Sequence, residues 1–313
     1  MMDIYYYDKQ LRKGTIEQLP KLKNKRVWVD VRNITKHEAE ILRDVFGLHP
    51  LTAEDLLNAN TRIKVEEFPN YLLCIFYGVQ RTKTVDLVEL DFVIGKNFLI
   101  SSRNIDASPY ADLRENKARL ETLFKRGVDF VLHKLLDAEE DRYFPVLETI
   151  DDEIDELENR LSSPSVNNLL PKILDLKHSI SLLRKTTLQQ TEKLSFLVKN
   201  DYPFISSQAL PYFRDIYDHS IRVSDLIDNY REAIINTFEF YMSTVTKNLN
   251  ESIKVLSLIA TIALPLTVVS SIYGTNFINL PGRDWHYGFW VMIGFMIVLS
   301  TSMLFFLRRR GWS

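Results

Sequence analysis

Cysteine is nearly missing from this 313-residue chain. Cys74 is its only copy, so no intramolecular disulfide can form and a disulfide-stapled extracellular domain is excluded. The bulk of the chain is expected in a reducing compartment. Net charge is also nearly absent. The 39 basic and 41 acidic residues leave a balance of −2, which exerts no overall pull on nucleic acid, and no nucleic-acid partner is expected. Residues 1–10 lack an apolar signal core, so nothing directs the N-terminal part out of the cytosol. No P-loop pattern occurs. The six histidines show no metal-binding pair spacing, and His37-Glu38 lacks the second histidine of a zincin motif. The chain is therefore not expected to be an enzyme, and Cys74, inside the apolar run Tyr71–Tyr77, reads as core.

Charge is missing altogether from two stretches, Val255–Gly282 and Tyr287–Leu307. Elsewhere the chain looks water-soluble, with 46% apolar and 26% charged residues and a mean hydropathy of −0.11. A hydrocarbon core about 30 Å thick is spanned by roughly 20 apolar helical residues. Val255–Tyr273 and Gly288–Leu307 both meet that length, which predicts a soluble body with a two-helix membrane tail. Arg308-Arg309-Arg310 flanks the second span, and Lys247 and Lys254 precede the first. The loop between the spans holds only Arg283, offset by Asp284. The positive-inside bias puts both termini in the cytoplasm and the loop outside, where Trp285, Tyr287 and Trp290 suit an interfacial belt.

The two spans differ in polarity. The second is almost wholly apolar and suits a lipid-facing helix. The first carries Ser257, Thr261, Thr267, Ser270 and Ser271, with Pro265 at its middle. Steps of three and four from Asn250 trace Asn250, Ile253, Ser257, Ala260, Leu264, Thr267, Ser271 and Gly274, a small or weakly polar stripe with no ionisable group. Such a stripe fits a water-facing pore wall and equally a helix–helix contact face. Two spans cannot enclose a pore, so conduction would require several subunits around one axis.

The first 130 residues read as mixed α/β. Strand-like runs at 26–31, 71–79, 85–94 and 98–102 are rich in β-branched and aromatic residues, and 37–46 and 51–57 have helical apolar spacing. Residues 131–206 read as an acidic helical hairpin. Its first arm keeps Leu147, Ile150, Ile154, Leu157 and Leu161 at steps of three or four, and Ser163-Pro164-Ser165 turns the chain into a return arm over 169–198. The acidic run of the first arm fits a solvated face as well as an ion site. From Ser207 no strong stop precedes Gly274, which predicts one helix of about 100 Å serving as a stalk (207–254) and a first membrane helix (255–276). An outer loop (277–287), a second membrane helix (288–307) and a basic tail (308–313) complete the chain.

The first span ends in Tyr273-Gly274-Thr275-Asn276-Phe277, followed by Leu280-Pro281. This resembles the Tyr-Gly-Met-Asn-Phe signature of the CorA family of divalent-cation channels. Further agreement follows in order along the chain. It includes Phe46-Gly47-Leu48-His49-Pro50-Leu51 with Glu54-Asp55, Lys64-Val65-Glu66, Ile150–Asp155, Pro211–His219, Asn250-Glu251 and Leu264-Pro265-Leu266-Thr267.

The resemblance implies a homopentamer in the plasma membrane, with a funnel-shaped α+β cytosolic domain, a helical hairpin, a stalk helix and two transmembrane helices. Gly274, Thr275 and Asn276 would form the selectivity filter. Asn250, Ile253, Leu256, Ala260, Leu264, Thr267 and Ser271 would line the pore. The implied cargo is Mg²⁺, with Co²⁺ or Ni²⁺ as further candidates. A regulatory Mg²⁺ would sit between subunits, Asp215 facing Glu54 and Asp55 of a neighbour with Asp137 close by; ordinary solvated acids are the alternative there. Thr275 stands where the signature has methionine, and Leu280-Pro281-Gly282-Arg283 lacks the acidic residue of the usual Met-Pro-Glu-Leu loop. Two other readings stay open: the same architecture carrying Zn²⁺ or Co²⁺, and a membrane-anchored scaffold or metal sensor that conducts nothing.

Overall fold

The computed structural model describes residues 1–81, 84–105, 108–161, 169–278, 280–282 and 284–310. The expected turn at Ser163–Ser165, the loop residue Arg283 and the last three residues of the basic tail lie outside them. The chain divides into two compact units, one of Met1–Ser163 and Asn167–Phe238, the other formed chiefly by Glu239–Ser313.

The first unit is built on seven strands: β1 (Met2–Asp8), β2 (Gln10–Gly14), β3 (Arg26–Arg32), β4 (Lys64–Phe68), β5 (Tyr71–Arg81), β6 (Val85–Gly95) and β7 (Phe98–Arg103). They form one sheet in the order β2-β1-β3-β7-β6-β5-β4. All neighbours are antiparallel except β3 and β7. The four expected strands are present, each extended by one or two residues. Strands β1, β2 and β4 were not expected. β1 is tyrosine-rich, and β2 and β4 are charged edge pieces whose pairing comes from the neighbouring strand rather than from their own apolar pattern.

Helices cover both faces of the sheet. α1 (Leu19–Leu22), α2 (Lys36–Phe46) and α3 (Pro50–Asp55) lie on one side, where Leu42, Phe46, Leu48 and Leu56 pack with Val27, Val29, Leu73, Ile75 and Val93. α2 starts at a capping box in which the Thr35 amide donates to Glu38 Oε2 (2.9 Å) and the Glu38 amide donates to Thr35 Oγ1 (3.3 Å). It stops at Gly47, whose φ of +68° few side chains tolerate.

The other face carries α4 (Ser108–Glu115), α5 (Lys117–Arg126), α6 (Val128–Asp141), α7 (Tyr143–Leu161), α8 (Leu170–Lys199) and the first part of α9 (Leu210–Tyr273). Leu120, Phe124, Val131, Leu135, Leu194, Phe213 and Ile216 there meet Leu72, Cys74, Phe76, Leu90 and Phe92. Cys74 is fully buried in this layer, as its apolar setting indicated. The boundary expected at residue 130 thus runs through α6, and helices of the hairpin region share the sheet's core.

The acidic arm is two helices rather than one. The Arg142 amide closes a short turn onto the Glu139 carbonyl (3.3 Å), and Pro145, lacking an N–H, fits the first turn of a new helix, where donors have no partner anyway. α7 and α8 run antiparallel. Lys172, early in α8, pairs with Glu156, late in α7, at 2.5 Å. α8 and α9 run antiparallel as well, with Arg184 on Asp228 (2.5 Å) and Thr191 on Ser220 (2.7 Å).

The second unit contains the rest of α9, unbroken to Tyr273, and α10 (Gly288–Arg309). None of its described residues is buried, although both helices reach a mean hydropathy of 2.2. A core helix of a soluble protein would be covered, so this much bare apolar surface belongs in lipid or against further protein.

Candidate ion path and cytosolic acid group

The membrane part of α9 has two unlike faces. Lys254, Leu258, Ile262, Pro265, Leu266 and Val269 are half-buried. Val269, Ile272 and Tyr273 share an apolar cleft with Val291, Met292 and Phe295 of α10. At about 100° per residue, the face roughly opposite carries Ile253, Leu256, Ala260, Leu264, Thr267, Ser271 and Gly274. All of these are exposed, Leu256 at 68% and Leu264 at 63%. The expected pore stripe thus lies within a broad side of α9 that the described residues leave uncovered, a side that also includes Val255, Ile259 and Val268. Asn250 is exposed too, whereas Ser257 is half-buried at the edge of the stripe.

Two threonine hydroxyl protons along this helix are already committed. Thr267 Oγ1 donates to the Ala263 carbonyl (2.8 Å) and Thr261 Oγ1 to the Ser257 carbonyl (2.7 Å). A hydroxyl bonded in this way keeps its lone pairs, so toward any visitor it is an acceptor.

At the end of α9 the Gly274 amide donates to the Ser270 carbonyl (2.9 Å), and the Thr275 amide (3.2 Å) and Thr275 Oγ1 (2.7 Å) both donate to the Ile272 carbonyl. The Tyr273 hydroxyl donates to the Pro281 carbonyl (3.1 Å), pinning the loop back to the helix. A Cβ on Gly274 would stand 3.2 Å from the Ser270 oxygen, so the turn is tight enough to favour glycine. Ser270, Gly274, Thr275, Asn276 and Phe289 help line a cleft of about 510 Å³. Trp285, Tyr287 and Trp290, the expected interfacial aromatics, are all exposed.

The expected regulatory residues fall on both faces of the sheet. Glu54 and Asp55 end α3; Glu54 is exposed, and Asp55 is half-buried and accepts from Lys64 Nζ at 2.7 Å. Burial works to lower the Lys64 pKa, yet its bonds to Asp55 and Glu66 prevail and raise it. Asp137, on α6, pairs with Lys134. Asp215, on α9, is exposed. Because α3 belongs to one core and α6 and α9 to the other, a single copy does not gather the four carboxylates.

Among the described residues, the group whose ligand atoms all lie within 4.8 Å of one another is Asp137, Asp141 and His219. Only Asp137 of this trio was expected. Asp141 was legible as the carboxylate one turn beyond Asp137, but His219 was passed over in a search for paired histidines. Its Nδ1 is buried without a partner. Nearby His133 has its pKa lowered by burial, against the pull of Asp137 and Asp215. Two carboxylates and an imidazole nitrogen are donors suited to a divalent cation.

The family model described as "CorA-like Mg2+ transporter protein" matches residues 23–309. A Cobalt/magnesium transport protein CorA of Thermotoga maritima is 33% identical over 292 residues, covering 91% of this chain and 83% of the relative. The putative metal ion transporter YfjQ of Bacillus subtilis is 26% identical over 285 residues, covering 91% and 89%. In fold, the chain is similar to the complete CorA structure from Methanocaldococcus jannaschii, with a TM-score of 0.85 at 22% identity over 100% of this chain and 99% of that one. With the signature in an exposed turn at the end of α9 and a match spanning nearly the whole length, the chain belongs to the CorA-like Mg²⁺ transporter family.

Proposed function

We propose that the protein is a divalent-cation channel through which the membrane potential drives Mg²⁺ into the cell. Five copies would surround one axis with the bare face of α9 inward and α10 toward lipid. The observation that carries this reading is that uncovered face, running through Ile253, Leu256, Ala260, Leu264, Thr267 and Ser271 to the Gly274-Thr275-Asn276 turn.

Mg²⁺ gives up its water reluctantly, and a hydrated cation turns water hydrogens outward. A wall that receives it must accept hydrogen bonds. The Asn276 amide oxygen and the Thr267 hydroxyl, its proton held by Ala263, provide acceptors without a carboxylate that would retain the ion too long. Below them, the collar of Ile253, Leu256, Ala260 and Leu264 would close by dewetting. The field supplies about 4.6 kcal/mol per 100 mV to a doubly charged ion, so no ATP is required. Arg308 to Arg310 after α10, with Lys247 and Lys254 on α9, support cytoplasmic termini in the plasma membrane.

Regulation follows from the acids. Asp215 on one copy would meet Glu54 and Asp55 on the next, with Asp137 close by. Mg²⁺ bound between them, plentiful when the cell is replete, would clamp the copies shut, and its loss would let the carboxylates repel. The division of these acids between two faces of the sheet supports a contact between copies. The 33% identical relative, named a cobalt/magnesium transport protein, favours a second cargo reading, in which Co²⁺ is also carried. Isotope flux into vesicles holding the purified full-length protein tests the proposal, with Mg²⁺, Co²⁺ and Zn²⁺ in competition. Asn276→Ala should cut Mg²⁺ flux at least tenfold. Flux untouched by that change, or no flux from the parent protein, refutes the channel reading and leaves a scaffold or sensor.

A further inference from the structure

None of the described residues buries the turn that follows α9: Gly274, Thr275 and Asn276 are all exposed, at the edge of the cleft they share with Phe289. The Asn276 carboxamide makes no hydrogen bond to any described residue, so beyond its own rotamers it is placed by the backbone immediately before it. That backbone is held at Thr275 by two bonds onto one acceptor, the amide at 3.2 Å and Oγ1 at 2.7 Å from the Ile272 carbonyl. The last carbonyls of a helix have no partner within it, and here a side chain adds a second donor to one of them. The β-branched Thr275 is also stiff at χ1. We propose that Thr275 is a positioning residue of the ion filter, its hydroxyl holding the turn so that the Asn276 amide oxygen faces the passing hydrated cation.

This inference rests on the reading of Asn276 as part of the filter. Thr275→Val keeps the shape and loses the donor, whereas Thr275→Ser keeps the donor. Mg²⁺ flux is measured in vesicles against Mg²⁺ concentration, beside the assembly size of each full-length variant. Thr275→Val should raise the half-saturating Mg²⁺ concentration about fivefold, as expected for one net hydrogen bond, with assembly size retained. Thr275→Ser should remain near the parent, and Thr275→Ala should repeat the valine result should the valine variant assemble poorly. Equal half-saturation in Thr275→Val and the parent, or serine behaving like valine, overturns the proposal. A flux indifferent to Asn276→Ala would remove the filter reading itself, which separates the two failures.

Discussion

Glu140 offers a measurement whose size the structure sets. It lies buried on α6, where Gln190 Nε2 donates to its Oε2 at 3.2 Å and the Ser220 hydroxyl forms a second bond. Burial outweighs both bonds and raises its pKa from 4.5 to about 7. A carboxyl that binds its proton more tightly when folded stabilises the fold fully below the unfolded value near 4.5. That contribution is lost as pH rises through about 7. At about 1.4 kcal/mol per pH unit, the loss totals roughly 3 kcal/mol. Glu140→Gln keeps an acceptor for Gln190 and carries no charge at any pH. Thermal unfolding followed by Trp28, with Trp285, Trp290 and Trp312 replaced by phenylalanine, reports on the first unit. Between pH 5 and 8 the variant should gain on its parent, by roughly 5–10 °C at the upper end for a unit of this size. Burial raises the Asp91 pKa as well, but Asp91 titrates alike in both proteins and drops out of the difference. A gap that stays constant across this pH range refutes the reasoning.

Asp55→Lys with Asp215→Lys should mimic bound metal, leaving a flux that no longer falls as Mg²⁺ is raised on the cytosolic side; unchanged inhibition counts against the regulatory site. Asp30→Ala should destabilise the first unit by about 3–5 kcal/mol, because Asp30 is fully buried and accepts from Arg103, Arg114 and Ser101. Removing one member of a buried ion group strands the others, and a change below 1 kcal/mol in denaturant unfolding would contradict this.

Much of this architecture can be read from the residues, and the gaps have physical causes. β5, β6 and β7 were visible because their residues are buried on both faces and their apolar runs are nearly continuous. β2 and β4 were invisible because an edge strand is charged and borrows its hydrogen bonds from a neighbour. The break at Arg142 was hidden because no glycine marks it and Pro145 falls three residues later, inside the first turn of α7. In the membrane part, steps of three and four traced a stripe within the uncovered side but could not tell a pore wall from a helix contact. The covered face centred on Leu258, Ile262 and Val269 lies roughly opposite, leaving the stripe uncovered by its own chain. His219 was missed because a ligand group drawn from two helices has no spacing to find. The carboxylates of Asp137 and Asp141 sit one turn apart, but the imidazole arrives from α9, 78 residues later.

If Asp215 of one copy meets Glu54 and Asp55 of the next, as proposed, their placement on opposite faces of the sheet has a consequence for how copies can join. Surfaces on opposite faces of a copy cannot both be engaged in a two-fold pair, because such a pair joins the same single patch of each partner and leaves the far face of both vacant. Head-to-tail joining continues until the chain of copies meets its own beginning, so the tilt at each joint decides the number in the ring. It follows that a copy carrying lysine at position 55 alone would spoil one joint of a mixed ring and leave the joint on its other side intact.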